Sequence, residues 1–198
     1  MGDPKFARRS YETPKQPWEQ ARMDEERKLL VKYGLKNKRE LWRAQSQLRD
    51  IRRQARQLQA RVRAREPQAE KEMVLLLARL SRQGLLQATS PTLDDVLALS
   101  VPDLLQRRLQ WLAYVKGLAG SVSQARQLIV HGHVGVGDHR VTRPGYLVRR
   151  EEEIQIAYDV SSPLGDEGHS LRAALREKAQ AAPEVPVEGP SPSAPGGL

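Results

Sequence analysis

Residues 125–141 read ARQLIVHGHVGVGDHRV, and within this stretch the hydrophobic period changes. Ala125, Leu128 and Ile129, with Val122 just upstream, recur at the three- and four-residue spacing of one helix face. Gly132 then stands where a helix ends in a left-handed residue. Val134 and Val136 alternate with His133 and Gly135, and Gly137-Asp138 is a pair suited to a tight hairpin, with Val141 on the return strand. A helix that turns through a glycine into a β-hairpin predicts an α+β unit.

The flanks extend that unit. Ser121 and Gln124 stand in capping-box relation at the start of the helix. Upstream, Asp103 is placed to cap an earlier helix running to about Lys116, with Leu105, Leu109 and Leu112 as its inner stripe and Arg107 and Arg108 mainly on other faces. Downstream, a proline loop at Pro144 leads to Tyr146-Leu147-Val148, and the alternation of Ile154, Ile156 and Tyr158 predicts a last strand. The resulting helix–helix–hairpin–strand unit, residues 104–160, has a small core and is expected to lean on a neighbour.

The chain has 198 residues and a formal net charge of +9, which favours a polyanionic partner, either nucleic acid or an acidic membrane surface. The charge is local. Segment 36–65 holds eleven cations against two acids, Glu40 and Asp50, so it alone carries +9 and the remainder sums to zero. With no cysteine there is no disulfide framework, thiolate nucleophile or cysteine-bound zinc. No apolar run approaches the roughly 18–20 residues that span a bilayer, and the first residues lack a signal-peptide hydrophobic segment, so a soluble, intracellular protein is expected.

Within the basic segment, Asn37 is a plausible N-cap with Glu40 in capping-box spacing. Leu41, Ala44, Leu48, Ile51, Ala55, Leu58 and Val62 form one narrow apolar stripe along a long helix. A homodimeric coiled coil would set its cationic flanks against each other. An outer face lying on phosphates fits better, with Lys38, Arg39, Arg43, Arg49, Arg52, Arg53 and Arg56 as its candidate contacts. Before it, Trp18 to Tyr33 has helical character ending at Gly34. After it, Pro67 stops the basic helix, a leucine-faced helix covers Ala69–Gln83, and Ser90-Pro91 opens a short helix that ends at Ser100-Val101-Pro102. Beyond residue 161 only Leu171–Lys178 has helical character, and the closing APEVPVEGPSPSAPGGL is too poor in apolar residues to order itself. The expected layout is a helical region at 1–103, the compact unit at 104–160 and a largely disordered extension at 161–198.

The run RRLQWLAYVKGLAGSVSQARQLIVHGHVGVGDHRVTRPGYLV resembles the S-four RNA-binding domain. Its version, with ARQLIVHGHV followed by VTRPGY, resembles the S-four family of small-subunit ribosomal proteins. MGDPKFARRSYETPKQPW and YGLKNKRELWRAQSQLR independently resemble the archaeal form, related to the eukaryotic one, so the likeness covers about residues 2–160. It implies a structural constituent of the small ribosomal subunit that binds small-subunit rRNA early in assembly. It further implies contact with neighbouring ribosomal proteins, near the side where messenger RNA (mRNA) enters, and an influence on decoding accuracy in the cytoplasm. By position, Arg107 and Arg108 match paired arginines that begin the domain's first helix and face RNA, and Lys116 lies near that helix's end. Arg126 and Gln127 are expected on backbone phosphate or sugar. His131 and His133 flank the helix-to-strand turn, and Arg140 and Arg143 extend the same surface. Gly137-Asp138-His139 replaces the usual Asn-Gly-Lys/Arg type of tip, which removes one cation.

Other functions have less support. His131, His133 and His139 near Asp138 lack a spacing that fixes three of them round one ion. No phosphate loop of the G-x-x-x-x-G-K type and no ordered Ser, His and Asp set is present, so no enzyme, cofactor, catalytic residue or small-molecule substrate is expected. The alternative is a free RNA-binding stress or ribosome-rescue factor, which would share only the compact unit.

Overall fold

In the computed structural model, which describes residues 9–88, 90–166 and 168–181, helix α1 spans Gln20–Lys32 and is closed by Gly34 at φ +59°. The expected disordered tail from residue 182 onward lies outside the described residues. The long basic helix α2 spans Lys38–Arg63, and its 26 residues extend about 39 Å. The Asn37 side chain accepts the Glu40 N–H at 3.1 Å, satisfying one of the helix's orphan donors. Leu41, Ala44, Leu48, Ile51, Ala55 and Leu58 are all buried, as their spacing dictates, while Val62 is half-buried at the fraying end.

Helix α3 (Pro67–Arg82) follows after a short turn in which Arg65 takes φ +57°. Pro67 therefore opens α3 rather than only ending α2, because its missing N–H is no loss in a first helical turn. Leu76, Leu77 and Leu80 of α3 pack on the α2 stripe. Each fully buried leucine of this kind contributes about 1.5–3 kcal/mol. Helix α4 (Leu93–Ala98) starts from Thr92, not from Ser90-Pro91, because Thr92 and Asp95 close a reciprocal capping box. Ser100 ends nothing further; it and Asp103 form a second box that opens α5 (Val101–Gln106).

The single helix expected from Asp103 to Lys116 is two. Helix α5 stops at Gln106 and α6 runs Leu109–Val115, with Arg107 and Arg108 in the break. The cause lies far along the chain. The loop at 144–148 takes the backbone groups a continuous helix would use: Val148 N–H donates to Arg107 O at 3.0 Å, and Leu109 N–H donates to Tyr146 O at 2.8 Å. Arg108 and Leu147 complete an isolated antiparallel bridge.

Helix α7 (Val122–Val130) has the Ser121 cap, with Gln124 reaching back one residue further, to the Gly120 N–H at 2.8 Å. Strand β1 (Val134–Val136) follows Gly132, then β2 (His139–Arg140) and β3 (Ile156–Tyr158), in the antiparallel order β2-β1-β3. The hairpin register, Val136 opposite His139, leaves Gly137 and Asp138 as its two-residue loop. Ile154 is not part of the last strand and is 86% exposed. Local bonds take that segment instead: Glu153 N–H donates to Arg149 O, and Gln155 N–H to Glu152 O. A 3-10 turn (Pro163–Gly165) and α8 (Ser170–Ala181) close the described chain.

The fold is thus α+β, mostly helical with one small sheet, around two cores. One gathers Tyr33, the α2 and α3 stripes and the leucines up to Leu105; the other gathers Leu109 through Leu164. The division falls at the Arg107–Arg108 break.

Candidate nucleic-acid interface

Two basic regions were expected to be outward, and the structure sorts their members by partner. On α2, Arg39, Arg43 and Arg56 are exposed and make no hydrogen bond or ion pair among the described residues. The others are engaged. Lys38 lies 3.2 Å from the buried carboxylate of Glu26, Arg53 2.7 Å from Asp50, and Arg49 pairs with Glu12. Arg52 donates to Leu99 O and so ties α2 to the turn before α5. Sequence reasoning passed over Lys36, Arg63, Arg79 and Arg82, which are exposed and likewise unpaired. The first two were visible as charge, the last two only once α3 lay beside α2.

Glu40 sits at the centre of a polar joint between the two cores. Arg126 clamps it as a two-point fork, Nη2 to Oε1 at 2.6 Å and Nη1 to Oε2 at 3.2 Å, and Arg108 Nη2 donates to Oε2 at 2.8 Å. Such charge-assisted forks are about twice as strong as neutral hydrogen bonds. Burial alone pushes the Glu40 carboxyl up. The hydrogen bonds and charges of Arg126 and Arg108 outweigh it and hold the group below the usual carboxylate value. Gln110, 1% exposed, completes the joint. Its Nε2 donates to Gly34 O at 2.8 Å and to Val122 O at 3.0 Å, and its Oε1 accepts from Arg126 at 3.4 Å. Any side chain at position 34 would lie 2.7 Å from Gln110 Nε2, so glycine is required there for close approach as well as for its positive φ.

Arg107 and Arg108 stand at the start of α6, with Arg108 as its N-cap, but both side chains turn inward. Arg107 donates from Nε to Gln83 O at 3.0 Å and from Nη2 to Val148 O at 3.0 Å, and pairs with Glu153 at 2.7 Å. Arg108 is 8% exposed. The reason is the helix break, which aims both guanidinium groups at carbonyls and carboxylates rather than at solvent.

The remaining members of the compact unit lie near the helix-to-strand turn. Gln127, His131, Arg140 and Arg143 are exposed, and Arg140 donates to His131 O at 3.0 Å, which joins the hairpin to the turn. His133 is half-buried, with Nδ1 2.9 Å from Ser162 Oγ; it fastens the segment after β3 to the sheet. Lys116 is exposed and reaches Glu153 O. Arg126, Gln127 and His131 meet Lys36 and the exposed Val31 and Val130 along an open groove of about 680 Å3 between α1 and α7. Among the described residues no group of three His, Asp or Glu is placed to hold a metal, and no helix is long and apolar enough to cross a membrane.

Fold and surface together define a class: a basic α+β protein of two small modules, the first built on an arginine-rich helix, its open cations spread over helices and a hairpin rather than gathered in a pocket. Residues 5–106 match the model of the ribosomal protein S4/S9 N-terminal domain, and residues 107–154 match that of the S4 domain. The chain belongs to the ribosomal protein S4 family, whose curated members are named small ribosomal subunit protein uS4. It is 51% identical over 185 residues to uS4 of Thermoplasma acidophilum, covering 93% of this chain and 92% of that protein. It is 50% identical over 197 residues to uS4 of Thermoplasma volcanium, covering 100% and 98%. Against uS4 of Picrophilus torridus the identity is 54% over 172 residues, 87% and 93% of the two chains.

Proposed function

We propose that this chain is a structural component of the small ribosomal subunit in the cytoplasm, without enzymatic activity, which binds small-subunit rRNA through phosphates and shape. The observation that carries the reading is the end-to-end match to relatives named for that subunit. A free RNA-binding factor sharing only the compact unit would resemble the family over residues 107–154, whereas here the match begins at residue 5. Structured RNA offers side chains mainly phosphates, 2′-hydroxyls and junction shape, so open cations on stiff elements suffice for recognition.

The division of labour follows from the partners. Arg39, Arg43 and Arg56 on α2, and Gln127, His131, Arg140 and Arg143 on the compact unit, meet the RNA. Lys38, Arg49, Arg52 and Arg53 add field along the same helix, and Lys116 and His133 lie at the edge of the second surface. Arg107, Arg108 and Arg126 hold the two surfaces at a fixed angle. The functional layout follows the chain: an rRNA-binding helical region at 1–103, an S4-type unit at 104–160 and an extension at 161–198. Early joining during assembly, contact with neighbouring ribosomal proteins and an effect on accuracy near the mRNA entrance belong to the same reading. Sedimentation of native subunits tests it: one copy of the protein should travel with each small subunit and leave only in high salt. Migration apart from the subunit at moderate salt would overturn it.

A further inference from the structure

Between α2 and α3 lies a recess of about 440 Å3 that the open-face picture does not use. Arg43, Gln47 and Gln54 reach it from one stripe of α2, Arg79 from the last turn of α3 and Gln83 from the cap that follows. Ser10 closes one end. The segment bearing it is strapped across α2: Glu12 N–H donates to Ser46 Oγ at 3.1 Å, Glu12 pairs with Arg49, and the Tyr11 ring lies 6.1 Å from Trp42.

The chemistry is specific. Arg43 and Arg79 stand free of hydrogen bonds and ion pairs among the described residues, and so do the side-chain amides of Gln47, Gln54 and Gln83. Asp50, the one acid in the lining, is engaged by Arg53 at 2.7 Å. Buried Ile51 supplies an apolar contact. Guanidinium forks suit a phosphate. Each amide carries both donors and an acceptor, which is what the edge of a nucleobase requires. A helix meeting only an RNA backbone needs a convex cationic face, not a recess lined by three amides. The size falls within the range of small-ligand sites and is too small for a duplex.

We propose that this recess takes a single unpaired nucleotide of the RNA, swung out of its helix, with Arg43 and Arg79 on the flanking phosphates and the three glutamines on the base edge. Sequence-specific RNA recognition works on such splayed bases. The proposal rests on the rRNA-binding reading above and adds a base-reading element to it.

The test uses the full chain, isotope-labelled, with side-chain amide resonances followed during titration with uridine monophosphate, adenosine monophosphate and inorganic phosphate. The nucleotides should move the signals of Gln47, Gln54 and Gln83 in the millimolar range, and inorganic phosphate should not. Arg79→Ala should weaken nucleotide binding about tenfold, and Arg79→Lys should restore only part of it, because the fork is lost. Gln47→Ala combined with Gln54→Ala should abolish the nucleotide response while leaving the salt slope of rRNA binding unchanged. These positions are exposed or half-exposed, and unchanged backbone spectra will verify the fold. Equal responses to phosphate and nucleotide, silent glutamine signals, or variants that bind as the wild type does would each overturn the recess. Loss of wild-type rRNA binding would instead sink the ribosomal reading on which it rests.

Discussion

Glu40→Gln removes the one negative charge at the joint and keeps nearly the same shape. The Glu40 side chain is 18% exposed, and its partners Arg108 and Arg126 are 10% and 23% exposed. Breaking a fully buried pair by neutralising one partner costs about 3–5 kcal/mol. Here partial solvation and the surviving amide oxygen reduce that to about 2 kcal/mol. For a chain of this size such a loss lowers Tm by about 4–8 °C. The pH dependence is the sharper signature. The folded Glu40 carboxyl sits below its unfolded value, so its contribution is complete above about pH 5 and is lost as pH falls through the folded value. The gap between wild type and variant should therefore be widest at neutral pH and close in acid. Glu26, also held low, by Trp42, Lys38 and Arg22 against its burial, destabilises both proteins alike in acid and cancels in the difference. Circular-dichroism melts of the full chain from about pH 7 to pH 3 read this directly. A gap that stays constant across the range, or a variant as stable as wild type at neutral pH, refutes the assignment of Glu40 as the joint's counter-ion.

Four further outcomes separate holding from binding. Arg107→Ala, which strips contacts to Gln83, Val148 and Glu153, should lower stability by about 2–3 kcal/mol in urea titrations. Arg56→Ala should change stability by no more than about 0.5 kcal/mol yet reduce the slope of log rRNA affinity against log salt by about 0.7–0.9. Gly34→Ala, forced into φ +59° and against Gln110 and Val122, should cost about 2–3 kcal/mol, with the loss seen first as faster hydrogen exchange at the joint. Deleting residues 183–198, which hold two glutamates and no cation, should leave rRNA affinity within about twofold.

What could be read from the chain was whatever depends on neighbours in sequence. The α2 stripe, the Asn37 and Ser121 caps and the two-residue hairpin follow from spacing, and they stand where spacing put them. What could not be read depends on partners far away. Arg107 and Arg108 look like outward helical cations until the loop at 144–148 takes their backbone and turns them in. Glu40 fits a capping box, yet its side chain leaves Asn37 for an arginine 86 residues on. One signal was present: Glu40 is one of only two acids among eleven cations in segment 36–65, and so rare an acid has a reason to be there. His133 gave no such clue, since its serine partner lies beyond β3.

Gln110 gives the joint a property that apolar packing lacks. Its amide finds two carbonyls and a guanidinium only when the Gly34 turn and α7 both stand in their final places. Two leucine faces tolerate sliding by a fraction of a turn; a buried amide that loses its partners costs about 1–3 kcal/mol. Each module can thus complete its own core and still be rejected from a wrong docking. The buried amide thus favours this docking over any that would bury the same apolar surface but leave Gln110 unpaired.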